Sequence, residues 1–225
     1  MFYITGDTHG NKERFVILRA FSEPEWTAND YLIICGDFGY LNENTEEDAA
    51  FLDELEKKPY TILFCDGNHE NFPVINSYPE EKWNGGRIHR IRKNIIHLMR
   101  GCVFEIDGRK IFVMGGAFSI DRDTRVKDVS WWEEEQPSAE EYDRARENLE
   151  RAGNKVDFII THTAPASVVA MLCKRPCAED MQLTGFFENI ARETEFGRWY
   201  FGHWHTDRPI HNKFRALYFD VECEE

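Results

Sequence analysis

Three short apolar runs in the first third of the chain alternate with two stretches of helical character, and that order leaves few folds open. The runs are FYIT (residues 2–5), YLIIC (31–35) and TILFC (61–65). YLIIC is apolar throughout rather than at every second position, as befits a parallel strand buried on both faces. Between the runs, NKERFVILRAF offers Phe15, Leu18 and Ile17 to a core. TEEDAAFLDELEKKP has Thr45 as its N-cap, acids in its first turn, and Lys57, Lys58 and Pro59 at its close. Strand followed by helix, repeated, implies parallel strands joined by right-handed crossovers.

The middle of the chain changes character. NIIHLMRG and CVFEIDGRKIFVMGG (94–116) read as an antiparallel meander turning at Asp107-Gly108. PSAEEYDRARENLERAG is the clearest helix, with Ser138 and Glu141 spaced as a capping box and Gly153 at the exit. VDFIIT, RWYFG and FRALYFDVE supply three further strands. These are more strands than one small sheet needs, so two packed sheets with helices outside are expected. With 225 residues and no repeat or linker-like tract, a single domain spanning 1–225 is expected.

Five apolar strands end in side chains able to bind a metal. FYITGD ends in Asp7 with His9 beyond it, YLIICGD in Asp37, TILFCDGNHE in Asn68, His69 and Glu70, VDFIITH in His162, and RWYFGHWH in His203 and His205. The first three are spaced by 30 and 31 residues, one βα unit each. The carboxyl ends of parallel strands share one sheet edge, so these side chains should converge there. Gly6, Gly36, Gly67 and Gly202 would let the backbone turn and approach a ligand closely. Two Asp, one Asn and four His are donors preferred by Mn, Fe or Zn, without a thiolate to demand a softer ion. Seven donors are too many for one open catalytic ion and suit two divalent ions sharing a carboxylate. Such a pair attracts phosphate, stabilises charge developing on its oxygens, and readies a bridging hydroxide for in-line attack.

In this ordered set, GDTHG, GDFG, GNHE, TH and GHWH, the chain resembles the calcineurin-like metallophosphoesterases, of the small bacterial or phage type. The resemblance spans residues 6–205 and implies an α/β fold, a four-layer αββα sandwich of two mixed β-sheets flanked by helices. It further implies that Asp7, His9, Asp37 and His205 hold one metal, and that Asp37 (bridging), Asn68, His162 and His203 hold the other. His69 would contact the substrate phosphate or protonate the leaving oxygen, with Glu70 behind the ligands. One departure stands out: the protein phosphatase branch reads GDxxDRG, whereas GDFGYLN here has Tyr40 for the Asp and Leu41 for the phosphate-gripping Arg. That argues against phosphoprotein substrates and leaves the metal ligands intact.

The expected activity is therefore a metal-dependent phosphoric ester hydrolase acting on a small phosphodiester, nucleotide or phosphomonoester. A nuclease of the same fold and a non-catalytic protein-binding scaffold are the alternatives. The formal net charge of −14 argues against binding to DNA or anionic membranes through a basic surface. No run approaches the ~18 apolar residues of a membrane span. Met1 runs straight into a strand-like segment, which reads as a chain without a secretion signal. Cys35 and Cys65, inside apolar runs, read as free thiols of a reducing, cytoplasmic compartment, and Cys173 and Cys177 as ordinary loop cysteines. The remaining features have ordinary readings. His97 should be packed in a strand, His89 and His211 on the surface or in loops, and the basic run RIHRIRK (87–93) on a solvated strand face or loop. Trp131 and Trp132 should pack at a sheet edge, and Phe186 and Phe187 in the core. Arg122 and Arg125 could reach substrate, whose selection should fall to loops such as 71–94 and 119–136.

Overall fold

The computed structural model describes residues 1–18, 25–42, 45–172 and 177–225. The side chain of Ile17 and the whole of Cys173 lie outside the described residues. Two mixed sheets carry the architecture. The first has seven strands in the order β13-β1-β2-β3-β6-β5-β4, the second six in the order β11-β12-β10-β9-β8-β7. In the first sheet these are β1 (Phe2–Thr5), β2 (Tyr31–Cys35), β3 (Thr61–Cys65), β4 (Glu80–Trp83), β5 (Gly86–Arg92), β6 (Ile95–Leu98) and β13 (Glu222–Glu224). In the second they are β7 (Cys102–Ile106), β8 (Arg109–Met114), β9 (Lys155–Thr161), β10 (Glu195–Phe201), β11 (Arg208–Ile210) and β12 (Phe214–Ala216). The helices are α1 (Arg14–Leu18), α2 (Glu46–Glu56), α3 (Phe72–Ile75), α4 (Ala139–Arg151), α5 (Ala166–Met171) and α6 (Met181–Glu193).

Side-chain alternation explains the continuous apolar runs. In β2 and β3, Ile33, Cys35, Leu63 and Cys65 face a core shared with Ile111, Val113, Phe158 and Ile160 of the other sheet. Their neighbours Leu32, Ile34, Ile62 and Phe64 pack outward with Phe15 and Leu18 of α1 and Leu52 and Leu55 of α2. On the far side Phe112, Ile159 and Trp199 pack against Leu149 of α4, Val168 of α5 and Phe187 of α6. Three apolar layers separate four layers of elements, helix–sheet–sheet–helix, as expected. Parallel pairing runs β1–β2–β3 and β8–β9–β10, with Cys35 beside Cys65 and Ile160 beside Tyr200. The carboxyl ends within each set therefore lie level.

Both expected helix starts carry capping boxes: Thr45 Oγ1 accepts from Asp48 N at 3.1 Å, and Ser138 Oγ from Glu141 N at 3.3 Å. Gly153, at φ 76°, ends α4 while Asn154 N bonds back to Leu149 O. Three expectations are corrected. The meander is split: β6 pairs with β3 in the first sheet, and after Gly101 the chain enters the second as the β7–β8 hairpin, turning at Asp107 and Gly108. FRALYFDVE supplies β12 and reaches only the first residue of β13, and these two short strands lie in different sheets. Segment 71–94 is no loop; it holds α3 and a β4–β5 hairpin whose Asn84-Gly85 turn has positive φ at both residues. Charged residues on this sheet-edge ribbon (EEKW, RIHRIR) mask its apolar alternation. No helix among the described residues is long and apolar enough to cross a membrane.

Candidate metal centre

The carboxyl ends of both sheets meet at one edge, where the loops after β1, β2, β3, β9 and β10 bring together all seven expected donors. Asp7, Asp37, Asn68 and His162 are buried, His9 and His205 exposed. His9, Asp37, His203 and His205 all have φ between 46° and 65°, a left-handed conformation that side chains rarely adopt and that gathers at functional sites. Two glycines make the approach possible. A Cβ on Gly67 would lie 2.0 Å from Asp37 Oδ1, and one on Gly36, at φ 87°, would lie 2.2 Å from His162 Nδ1.

The donors form two groups sharing Asp37. In one, His9 Nε2 lies 3.0 Å from His205 Nε2 and 3.6 Å from Asp37 Oδ2, and His205 Nε2 lies 3.5 Å from Asp7 Oδ2. In the other, Asn68 Oδ1 is 2.9 Å from His162 Nε2 and 3.0 Å from His203 Nδ1, with Asp37 Oδ2 3.4 Å from the same His162 nitrogen. His162 Nδ1 donates to Cys35 O at 2.8 Å, so in the neutral ring Nε2 carries a lone pair. Asn68 Nδ2 donates to Ser119 Oγ at 2.8 Å, which turns its carbonyl oxygen into the cluster. His162 Nε2, His203 Nδ1, Asn68 Oδ1 and Asp37 Oδ2 converge, and Asp7 Oδ2, buried, has no hydrogen-bond partner among the described residues. A buried carboxylate oxygen without a donor, set among imidazole nitrogens, suits a cation. Asp7, His9 and His205 place donor atoms within 4.8 Å of one another, as do Asp7, Asp37 and His162, so this edge could hold a metal ion.

The electrostatics fit as well. Desolvation lowers His9 to about 4, although its side chain is still 31% exposed, and burial lowers His203 to about 3, so both rings present lone pairs near neutrality. Burial lifts Asp7 to about 7. Burial opposes charge on both His162 and Asp37, yet each outweighs it for the other. Asp37 and Asp7 raise His162 to about 10, while His162 and then His9 hold Asp37 well below the usual carboxylate range.

His69 is placed differently from the ligands. Its backbone N donates to Asp37 Oδ1 at 2.8 Å and its carbonyl accepts from Asn42 Nδ2 at 2.7 Å, while its imidazole makes no hydrogen bond to a described residue. The ring lines a pocket of about 520 Å³ together with Asp37, Asn68, His203 and His205. Glu70 stays behind the site, accepting from Phe38 N at 2.7 Å and Gly39 N at 3.3 Å. Tyr40 and Leu41 are core residues, with Tyr40 Oη bonded to Asn11 O at 2.7 Å. Arg122 and Arg125 are tied to the buried Glu135 at 2.9 and 3.3 Å. Arg122 also covers the rings of Phe118 and Trp131, and Trp132 is buried. Ser119, Asn42, Arg14 and Tyr218 support the site without having been singled out in the sequence. Arg14 donates to Asp7 O at 2.7 Å and to Tyr218 O, and the Tyr218 ring stacks on His205 at 4.5 Å. No local pattern marks them, because each acts on a partner distant in sequence or through a contact that chain order does not reveal.

A two-sheet α/β sandwich with Asp, His and Asn gathered at the strand ends defines a class of metal-binding hydrolases. The chain belongs to one family within it: the calcineurin-like phosphoesterase model matches residues 1–207. No curated protein matches the chain significantly. Members of the family are metal-dependent phosphoester hydrolases.

Proposed function

We propose that this protein hydrolyses a P–O bond in a small phosphodiester, nucleotide or phosphomonoester, using two divalent metal ions such as Mn, Fe or Zn. The observation that carries the reading is the convergence of two Asp, one Asn and four His at one sheet edge, with Asp7 Oδ2 buried and unpartnered among the described residues. Asp7, His9, Asp37 and His205 hold one ion; Asp37, Asn68, His162 and His203 hold the other. Paired ions supply positive charge for the phosphate oxygens and lower the pKa of a coordinated water. The chain's own groups do the rest. Cys35 O and Ser119 fix the orientations of His162 and Asn68. His69, unengaged at the pocket wall, binds a phosphate oxygen or protonates the leaving one, a contribution of about 10²–10⁴-fold for a positioned acid. The free thiols of Cys35, Cys65, Cys102, Cys177 and Cys223 support placement in the cytoplasm.

Turnover of bis-p-nitrophenyl phosphate, p-nitrophenyl phosphate and single-stranded DNA, with Mn²⁺ and with chelator, tests the proposal. Cleavage of the small esters that chelator abolishes and Mn²⁺ restores is expected. Turnover indifferent to chelator sinks the metal mechanism, preference for DNA favours the nuclease, and a purified protein unable to bind divalent ions favours the scaffold.

A further inference from the structure

A second cavity, of about 760 Å³, is walled by β5, β6 and the first turns of α4, and shares no lining residue with the pocket beside the candidate metal centre. A buried polar chain ends at it. Arg100 Nε donates to Asp66 Oδ2 at 2.7 Å, His97 Nε2 lies 3.1 Å from Asp66 Oδ1, and His97 Nδ1 lies 3.1 Å from His89 Nδ1. His89, expected on the surface, is 3% exposed and His97 5%.

When both rings are neutral, their protons have one arrangement. The Asp66 carboxylate, paired with Arg100, only accepts, so His97 carries its proton on Nε2 and its Nδ1 is bare. His89 must then donate from Nδ1, which leaves a lone pair on its Nε2. That nitrogen has no partner among the described residues, and the ring lines the cavity. Burial, then His97 beside it, lowers His89 to about 4, which keeps the ring neutral.

A bare imidazole nitrogen accepts a hydrogen bond, so a matching ligand brings an N–H or O–H donor. The charge around it narrows the choice. Glu134 and Glu140 line the cavity with no ion-pair partner among the described residues. Of the cations lining it, Arg100 is paired with Asp66 and Glu141, and Arg144 donates to Arg100 O at 3.2 Å. Phe72 and Met99 supply apolar wall. We propose that this cavity binds a small organic ammonium ion, which donates to His89 Nε2 while Glu134 and Glu140 balance its charge.

Calorimetric titration of the Mn²⁺-loaded full chain with butylamine and with spermidine, at matched ionic strength, tests this. Saturable one-site binding is expected with at least one amine, weakened at least tenfold by His89→Phe and severalfold by the double variant Glu134→Gln/Glu140→Gln. Attraction to an acidic surface alone would ignore His89→Phe, so undiminished affinity in a folded His89→Phe protein overturns the proposal, as does the absence of saturable heat with both amines. Should His89→Phe fail to fold, the double variant at exposed positions decides, and unchanged affinity there also overturns it.

Discussion

His205 is exposed, and its ring is held by stacking on Tyr218 at 4.5 Å with the planes 14° apart. Removing that surface frees the imidazole to rotate away from Asp7. Tyr218→Ala is therefore expected to weaken Mn²⁺ binding at one of two sites by about tenfold, the scale seen when a residue orienting a metal ligand is lost, whereas Tyr218→Phe keeps wild-type affinity. Titration of bound metal checks both. At Asp37, the proposed shared ligand, substitution to Asn (Asp37→Asn) should lower bound metal at both proposed sites and abolish turnover. His69→Asn should retain both ions while kcat falls by about 10²–10⁴-fold. Metal analysis beside steady-state kinetics separates the two, and equal metal loss in both variants would undo the assignment of His69. The donors themselves were legible in the sequence because each follows an apolar run directly. Their supports were not: Tyr218 lies beyond the last motif and Ser119 in a loop, and neither type of residue announces a partner.

Among the elements, the two kinds of glycine separate tight approach from simple flexibility. Gly67 follows β3 and has Asp37 at its back, so Gly67→Ala forces a clash with backbone and carboxylate and should remove metal binding. Gly185, inside α6, has nothing within 4 Å of where a Cβ would stand. Gly185→Ala should stabilise by about 0.4–1 kcal/mol through the unfolded chain, a rise in Tm of about 1–4 °C by calorimetry with activity unchanged. The helix starts were readable because Thr45 and Ser138 carry the cap in their own side chains. The strands near 80–98 were harder. Asn84-Gly85 is a hairpin signal, but charged residues flank it, and a period-two pattern weakened on one face reads as loop.

For the whole molecule, the buried charges set a pH dependence of stability in the metal-free protein. Burial, then the charge of Asp37, pushes Glu70 up to about 8, and burial lifts Asp7 to about 7. A carboxyl raised on folding holds an extra proton in the native state, so its stabilisation is complete below its unfolded pKa and lost as pH climbs through the folded one. His162, raised to about 10 by Asp37 and Asp7 against burial, also stabilises below its unfolded value and loses that contribution as pH rises through about 10. All three act in the same direction above about pH 6.5, the unperturbed histidine value, so the Tm of chelator-treated protein should fall from pH 7 to pH 10. A flat or rising Tm over that range would contradict these protonation states. If Mn²⁺ binds at His162 as proposed, it displaces the proton there, so binding at pH 7 should release protons, seen as a buffer-dependent calorimetric heat.

What the sequence determined by itself is the set of strand–helix units and the donor at the end of each apolar run, because hydrophobic period, caps and strand-end residues are local properties of the chain. Tertiary structure alone decided that β6 and β7 lie in different sheets, that 214–222 is shared between them, and that His89 is buried at the end of a relay from Asp66. Each depends on which surface a strand meets across the core. An apolar strand carries no mark of which sheet receives it, and a histidine in a charged ribbon carries none of the aspartate two strands away.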